Sequence, residues 1–169
     1  MPSNEIKMAV NAKKVEDMDA KDQQIIRELQ LDGRLTNNEL AERVNLSPSP
    51  CLRRLRNLEK SGVIQGYTAL VDQAAYGLPI TVFIRIRLEH HNKEAVQSFE
   101  RHINRIDEVL DCYLMTGDSD YLLRVIVESL ASYEDFIREK IHRIPSIASI
   151  DTSFAYGTVK QNRAFASVI

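Results

Sequence analysis

Two rhythms of apolar residues divide this chain. From Asp19 to Gly62 they recur every three or four positions, the spacing of a helix face; from Ile80 to Leu88 they recur every second position, the spacing of a half-buried strand. Ile25, Ile26 and Leu29 predict a first helix, opened by Asp19 as N-cap and stopped by Gly33. Leu40, Ala41 and Val44 predict a second, and Thr36-Asn37-Asn38-Glu39 before them matches a capping box. Asn45-Leu46 makes the next turn, with Leu46 directed to the core. Ser47 caps a third helix, Pro48 takes its N1 position and Pro50 falls in its first turn, where a missing N–H is tolerated. Leu52, Leu55 and Leu58 are expected to face inward, and Gly62 to end the helix. Val63 to Val71 reads as a short strand or wing leading into a linker, and DQAAYGLP (72–79) as a domain boundary.

Beyond that boundary Ile80, Val82, Ile84, Ile86 and Leu88 predict a strand, and Val96, Phe99 and Ile103 a helix. Val109 to Met115 and Tyr121 to Val127 predict two strands joined by the turn Thr116-Gly117-Asp118-Ser119-Asp120. Ser132 and Asp135 open another helix with Tyr133, Ile137, Ile141 and Ile144 inward. Pro145 stops it, and Ile147 to Lys160 returns as a last strand. The order strand, helix, strand, strand, helix, strand is the ferredoxin-like split βαβ unit. With both helices on one face of a four-stranded sheet, the other face is bare. Several apolar side chains there predict pairing with a second copy.

Charge changes the picture in the first half. The whole chain of 169 residues has a net charge of −2, so any affinity for a polyanion must be local. Residues 16 to 46 carry eight acids and four bases; residues 47 to 60 carry Arg53, Arg54, Arg56 and Lys60 against Glu59 alone, a swing from −4 to +3. Two short helices, a tight turn and a basic second helix form the helix-turn-helix pattern, whose second helix enters the DNA major groove. Ser49, Arg53, Arg56, Asn57 and Lys60 then point away from the core, with Arg54 on a flank. The N-terminal half of such a helix meets base edges, which assigns Ser49 and Arg53 to bases, with Arg54 joining them. Arg56 and Lys60 hold phosphates, as do Asn37 and Asn38 at the start of the preceding helix. Ser47 and Asn57 complete the expected double-stranded DNA contacts. Cys51, in the first turn, reads as a small buried filler.

Other chemistry is thin. Cys51 and Cys112 lie far apart, without a disulfide framework or zinc spacing, which fits a cytoplasmic protein. Residues 1 to 18 read as a loose arm without a signal peptide, and no apolar run is long enough to span a bilayer. His90 and His91 are strand neighbours that point to opposite faces, a poor chelating pair. No metal site or cofactor is expected. Asp118 and Asp120 could begin a calcium loop, but its sixth position is Leu123 and its last Ser129. No nucleophile, base and oxyanion donor assemble, so no enzyme is read here. Gly and Asp in the 116–120 turn are the default hairpin residues. They also gather acids and backbone amides that suit a zwitterion.

The segments LSPSPCLRRLRNLE, GVIQGYTALVD and GDSDYLLR resemble the Lrp/AsnC (feast/famine) family of transcriptional regulators, and the resemblance runs from about Asp19 to Lys160. It implies an α+β chain: a flexible arm (1–18), a winged helix-turn-helix (19–66), a linker strand (67–79) and a ferredoxin-like, RAM-type domain for effector binding and oligomerisation (80–169). It implies homodimers assembling further, often into octamers. It also implies an amino acid effector, leucine or another apolar one, held near the turn by Gly117, Asp118, Asp120 and Tyr121 with Thr152 and Ser153 of the last strand. Three other readings compete: an architectural nucleoid-type DNA-binding protein without an effector, an amino-acid-metabolising enzyme, and an RNA-binding module. The third lacks the aromatic-rich strand such sheets use to stack bases.

Overall fold

The computed structural model describes residues 18–162 and 164–166, so the expected arm lies, up to residue 17, outside the described residues. The chain divides into two units, one holding the described residues up to Ala69 together with those from Lys160 on, the other Leu70–Val159. The division thus falls after Ala69, and the last residues belong with the helical unit rather than with the sheet. There the Phe165 amide donates to Gln30 Oε1 (3.1 Å) and Arg27 Nη1 donates to the Phe165 carbonyl (3.3 Å).

Three helices make the first unit: α1 (Ala20–Leu31), α2 (Asn37–Arg43) and α3 (Pro48–Lys60). Both expected N-caps form as capping boxes. Asp19 accepts from the Asp22 amide (2.9 Å) and Asp22 accepts from the Asp19 amide (3.3 Å). Thr36 and Glu39 do the same for α2. Asn45, at φ 51°, takes the left-handed turn between α2 and α3, and the Leu46 amide donates to the Ala41 carbonyl. Ser47 precedes α3 without a side-chain cap bond. The N3 amide that it would accept from belongs to Pro50, which has none. Gly33 follows α1 without the left-handed backbone a glycine stop implies; Asp32 closes the turn by accepting from the Arg34 amide (3.0 Å).

Ile25, Leu40, Ala41, Val44, Cys51 and Leu58 form the buried core of this unit, with Leu46 and Leu55 half-buried against it. Cys51, not Leu52, completes the inner stripe of α3. Residues 51, 55 and 58 recur at spacings of four and three, whereas Leu52 falls on the flank and is only half-buried. Burial also pushes the Cys51 thiol pKa up, away from the thiolate. Val63 to Val71 forms no strand; Tyr67 is instead tied back to α3 by donating its hydroxyl to Glu59 (2.9 Å).

The second unit runs β1 (Ile80–Leu88), α4 (Lys93–Ile103), β2 (Val109–Leu114), β3 (Tyr121–Val127), α5 (Leu130–Phe136) with a π-helical extension (Ile137–Ile141), and β4 (Ile147–Phe154). The sheet order is β2-β3-β1-β4, antiparallel throughout. That is the split βαβ arrangement the alternation predicts. The cap of α5 is Ser129, which accepts from the Ser132 amide, so the helix opens before the expected Ser132. β4 ends at Phe154, short of Lys160. Phe99, Ile103, Phe136, Ile141 and Ile144 from the helical layer cover Val82, Ile84, Ile86, Tyr121, Leu123 and Val125 of the sheet.

Pleating places Phe83, Leu122 and Ile126 on the opposite face, half-buried even without a cover. Ion pairs run between them: Arg124 Nε to Asp111 (2.5 Å) and Arg85 Nη1 to Asp151 (3.4 Å). The bare face is therefore mixed, apolar with charge, rather than a plain hydrophobic patch.

Candidate functional site

α3 sorts its side chains by periodicity. Opposite Cys51 and Leu58 stand Ser49, Arg53, Arg56 and Lys60, at spacings of four, three and four, with Asn57 beside them. All five are exposed. No hydrogen bond or ion pair within the described residues engages the side chains of Ser49, Arg53, Arg56 and Lys60. Ser47, without its cap bond, also presents a free hydroxyl at the start of this row. The result is a cationic strip on a rigid helix with its donors unspent.

Arg54 does not belong to that strip. Its Nη1 lies 2.7 Å from Asp19 and 2.8 Å from Asp22, the two carboxylates that also cap α1. The hydrogen bonds it donates to Asp22 and Asp19 raise the guanidinium pKa, so its charge is fixed. Asp19 in turn is held below the usual carboxylate range by the Asp22 amide and by Arg54. The base contact expected of Arg54 is corrected: on the flank of α3 it meets two acids of α1 first. It anchors the basic helix to the N-terminus of α1.

Asn37 is corrected similarly. Its Nδ2 donates to the Pro48 carbonyl (2.9 Å), which links α2 to the first turn of α3, and its Oδ1 is buried without a partner among the described residues. Asn38, one position on, is exposed.

In the second unit the β2–β3 turn has the expected hairpin form. The Met115 amide donates to the Asp120 carbonyl (2.8 Å) and Gly117 sits at φ 105°, a backbone conformation that strains any L side chain. Gly117 and Asp118 are exposed, and Asp118 has no partner among the described residues. Asp120 is different: Oδ2 accepts from the Leu88 amide (2.7 Å) and Oδ1 lies 2.8 Å from His91 Nε2. Desolvation raises its pKa, but the Leu88 amide, His91 and the charge of Arg87 outweigh this and hold it below the usual range. Both oxygens are thus engaged at the end of β1. The sequence marks His91 only as a poor chelating partner of His90. Its position just past the strand end, level with the turn, was the available signal.

Tyr121 is also corrected. It is 2% exposed, stacked on Phe99 (4.4 Å between centroids), and its hydroxyl donates to Glu100 (3.3 Å). The first residue of β3 points into the helical layer, so its ring is core. Thr152 and Ser153 face opposite sides of β4. Thr152 shares a hydrogen bond with Tyr133 on the helix side, while Ser153 accepts from Arg85 on the bare face (3.4 Å). β1 separates β4 from β3 in the sheet, so neither side chain is brought to the turn of its own chain. Thr152 instead lines an open groove of about 590 Å³ with Tyr133, Ile137 and Ile150. Among the described residues no cluster of three or more His, Cys, Asp or Glu is placed to hold a metal, and no helix is long and apolar enough to cross a membrane.

Comparison with known proteins accounts for both units. Residues 18–65 match the model of the winged helix-turn-helix DNA-binding family, and residues 81–165 match that of the Lrp/AsnC ligand binding domain. The transcriptional regulator AzlB of Bacillus subtilis is 36% identical over 144 residues, 85% of this chain and 92% of that protein. The leucine-responsive regulatory protein of Escherichia coli K12 is 38% identical over 146 residues, 86% of this chain and 89% of that one. A crystal structure of a Neisseria meningitidis transcriptional regulator in complex with L-Met superposes with a TM-score of 0.84 at 35% identity, over 88% of this chain and 96% of that one. An AsnC family regulator from Agrobacterium tumefaciens gives the same TM-score at 37% identity, over 88% and 97%. A basic recognition helix and a split βαβ sheet joined in this order, with likeness along most of the length, mean that the chain belongs to the Lrp/AsnC family of transcriptional regulators, DNA-binding proteins rather than enzymes.

Proposed function

We propose that this regulator reads DNA through Ser49 and Arg53 and holds the phosphates on either side with Arg56, Lys60 and Asn38. Asn57 and Ser47 complete the contact row. The observation that carries this division is the contrast among the arginines of α3. Arg54 is consumed by Asp19 and Asp22, whereas Arg53 and Arg56 spend no side-chain donor on the described residues. An arginine fork on guanine contributes roughly 1–3 kcal/mol of discrimination, and a phosphate contact contributes affinity without discrimination. Gel-shift titration of a promoter fragment against random competitor at two salt concentrations tests it. Arg53→Ala should lose base preference, while Lys60→Ala should lose affinity evenly and flatten the salt dependence by about one contact. Equal loss of preference in both variants would reject the assignment.

We further propose that an amino acid modulates this protein at the β2–β3 turn. Support comes from the free carboxylate of Asp118, suited to an ammonium, beside the open backbone of Gly117, suited to a carboxylate. The Neisseria relative crystallised with L-Met is consistent with an amino acid of apolar side chain, leucine and methionine being the first to try. Because Thr152 and Ser153 do not reach the turn of their own chain, a second copy supplies any contact they make, in homodimers that assemble further, to octamers by analogy with the family. Thermal-shift screening across the common amino acids is the test, since a ligand bound only to the native state raises its melting temperature. Asp118→Ala should abolish the shift and leave basal DNA binding intact. A full response in that variant removes the turn from consideration.

A further inference from the structure

Asp118 and Asp120 differ in one respect that bears on control. Asp118 has no partner among the described residues, but Asp120 is held by two groups at the end of β1, the Leu88 amide and the His91 ring. The Asp120 main chain is fixed as well: its amide donates to the Ile86 carbonyl (2.9 Å) and its carbonyl accepts from Met115. The turn therefore hangs from β1 through one residue. Of its fastenings, the ring of His91 is the one of a side-chain type suited to a proton switch.

We propose that His91 is a positioning residue for the effector turn, and that its protonation sets the turn's shape and its affinity for an amino acid. This rests on the reading of the turn as the effector site. Protonated, His91 forms an ion pair with Asp120, cancels an acid that would repel the ligand carboxylate, and holds Gly117 and Asp118 in one arrangement. Neutral, it keeps at most a hydrogen bond, and the charge of Asp120, then offset only by the Leu88 amide and Arg87, stands beside the site. Around this pair, the charge of Arg87 of β1 also lowers the Asp120 carboxyl pKa. His90, the adjacent imidazole, is the necessary control. Tyr121 is raised by burial and by Glu100, far above it. Asp120, held low, stays ionised throughout. The pair is partly solvated, with His91 62% and Asp120 23% exposed, so the coupling is that of a screened ion pair.

The experiment has two arms on the full-length protein. In the first, titration with L-methionine and L-leucine at pH 6 and pH 8 should show binding about two- to fivefold tighter at pH 6. His91→Gln should bind equally at both, and His90→Gln should keep the native dependence. In the second, the methyl group of Met115, isotopically labelled, is followed by NMR from pH 5 to 9 without ligand. It should report one titration in the native protein that vanishes in His91→Gln and persists in His90→Gln. If His91→Gln keeps the native pH dependence, or Met115 senses no titration, the proposal is overturned although the effector site stands. If neither amino acid binds at either pH while Met115 still follows His91, the mechanical link stands and the effector reading of the turn is what fails.

Discussion

The two units carry their charges in different ways. On α3 of the first, the cations without a partner among the described residues, Arg53, Arg56 and Lys60, lie in a row along one face, and the paired one, Arg54, points to the side. In the second, charges are scattered over the bare face and around a turn, and most are paired: Arg124 with Asp111, Arg85 with Asp151, Asp120 with His91. A rigid row of unpaired cations fits a repeating polyanion. A turn with one free acid among paired ones fits a single small zwitterion. The spending of each charge, more than its presence, separates the surface for a long partner from the site for a small one.

If the two units are as separate as their cores, breaking one should leave the other standing. Leu40 is fully buried in the core of the helical unit, and Ile84 in that of the sheet. Leu40→Ala should cost about 2–5 kcal/mol, lower one calorimetric transition and abolish DNA binding, while the amino-acid thermal shift persists. Ile84→Ala should do the reverse to the other transition. A single transition moved by both variants would show that the units melt as one.

The second expected effect concerns the row itself. Arg54→Ala should destabilise the helical unit by roughly 1 kcal/mol, the scale of a partly solvated charge pair, because it unfastens α3 from the acids of α1. It should weaken DNA binding without changing the slope of affinity against salt, since no phosphate contact is removed. Arg56→Ala should change that slope by about one contact and leave stability within about half a kcal/mol. Should Arg54→Ala flatten the slope as Arg56→Ala does, Arg54 would belong to the DNA-facing row after all.

Much of this was readable beforehand, and the reason differs between the units. The helix of 3.6 residues per turn sorts Ser49, Arg53, Arg56 and Lys60 from the core without any tertiary knowledge. What it cannot show is which partner a flank residue meets: Arg54, on the flank as expected, meets two acids of α1, while Leu52, expected inward, falls on the flank instead. Strand alternation likewise fixed the sheet and its two faces. It said nothing of the order β2-β3-β1-β4, which sets β4 apart from the turn of its own chain, so that Thr152 and Ser153 could reach a turn only across an interface between copies. Tyr121 was misjudged because residue 121 stands next to an exposed turn, yet by pleat belongs to the inner face. Asp120 carries no local mark to tell it from Asp118; only the distant Leu88 amide does so.

The smallest effect tests that last distinction. The Asp120 carboxyl is held below the usual value of 3.8 in the folded protein, despite desolvation, by the Leu88 amide and His91. A group whose folded pKa is depressed binds fewer protons in the native state than in the unfolded one. Its contribution is therefore complete above the unfolded value and fades as pH falls through the folded one. Asp120→Asn should lower the melting temperature of the sheet unit at pH 6 by on the order of a few degrees. The difference from the native protein should shrink below about pH 4, where the native carboxyl also becomes neutral. Asp118→Asn, with no partner to lose, should leave the melting curve alone at every pH and act only on the ligand response. If the two variants shifted the curve equally, the turn would not be fastened through Asp120, and the division between the acid that holds the turn and the acid that meets the ligand would have to be given up.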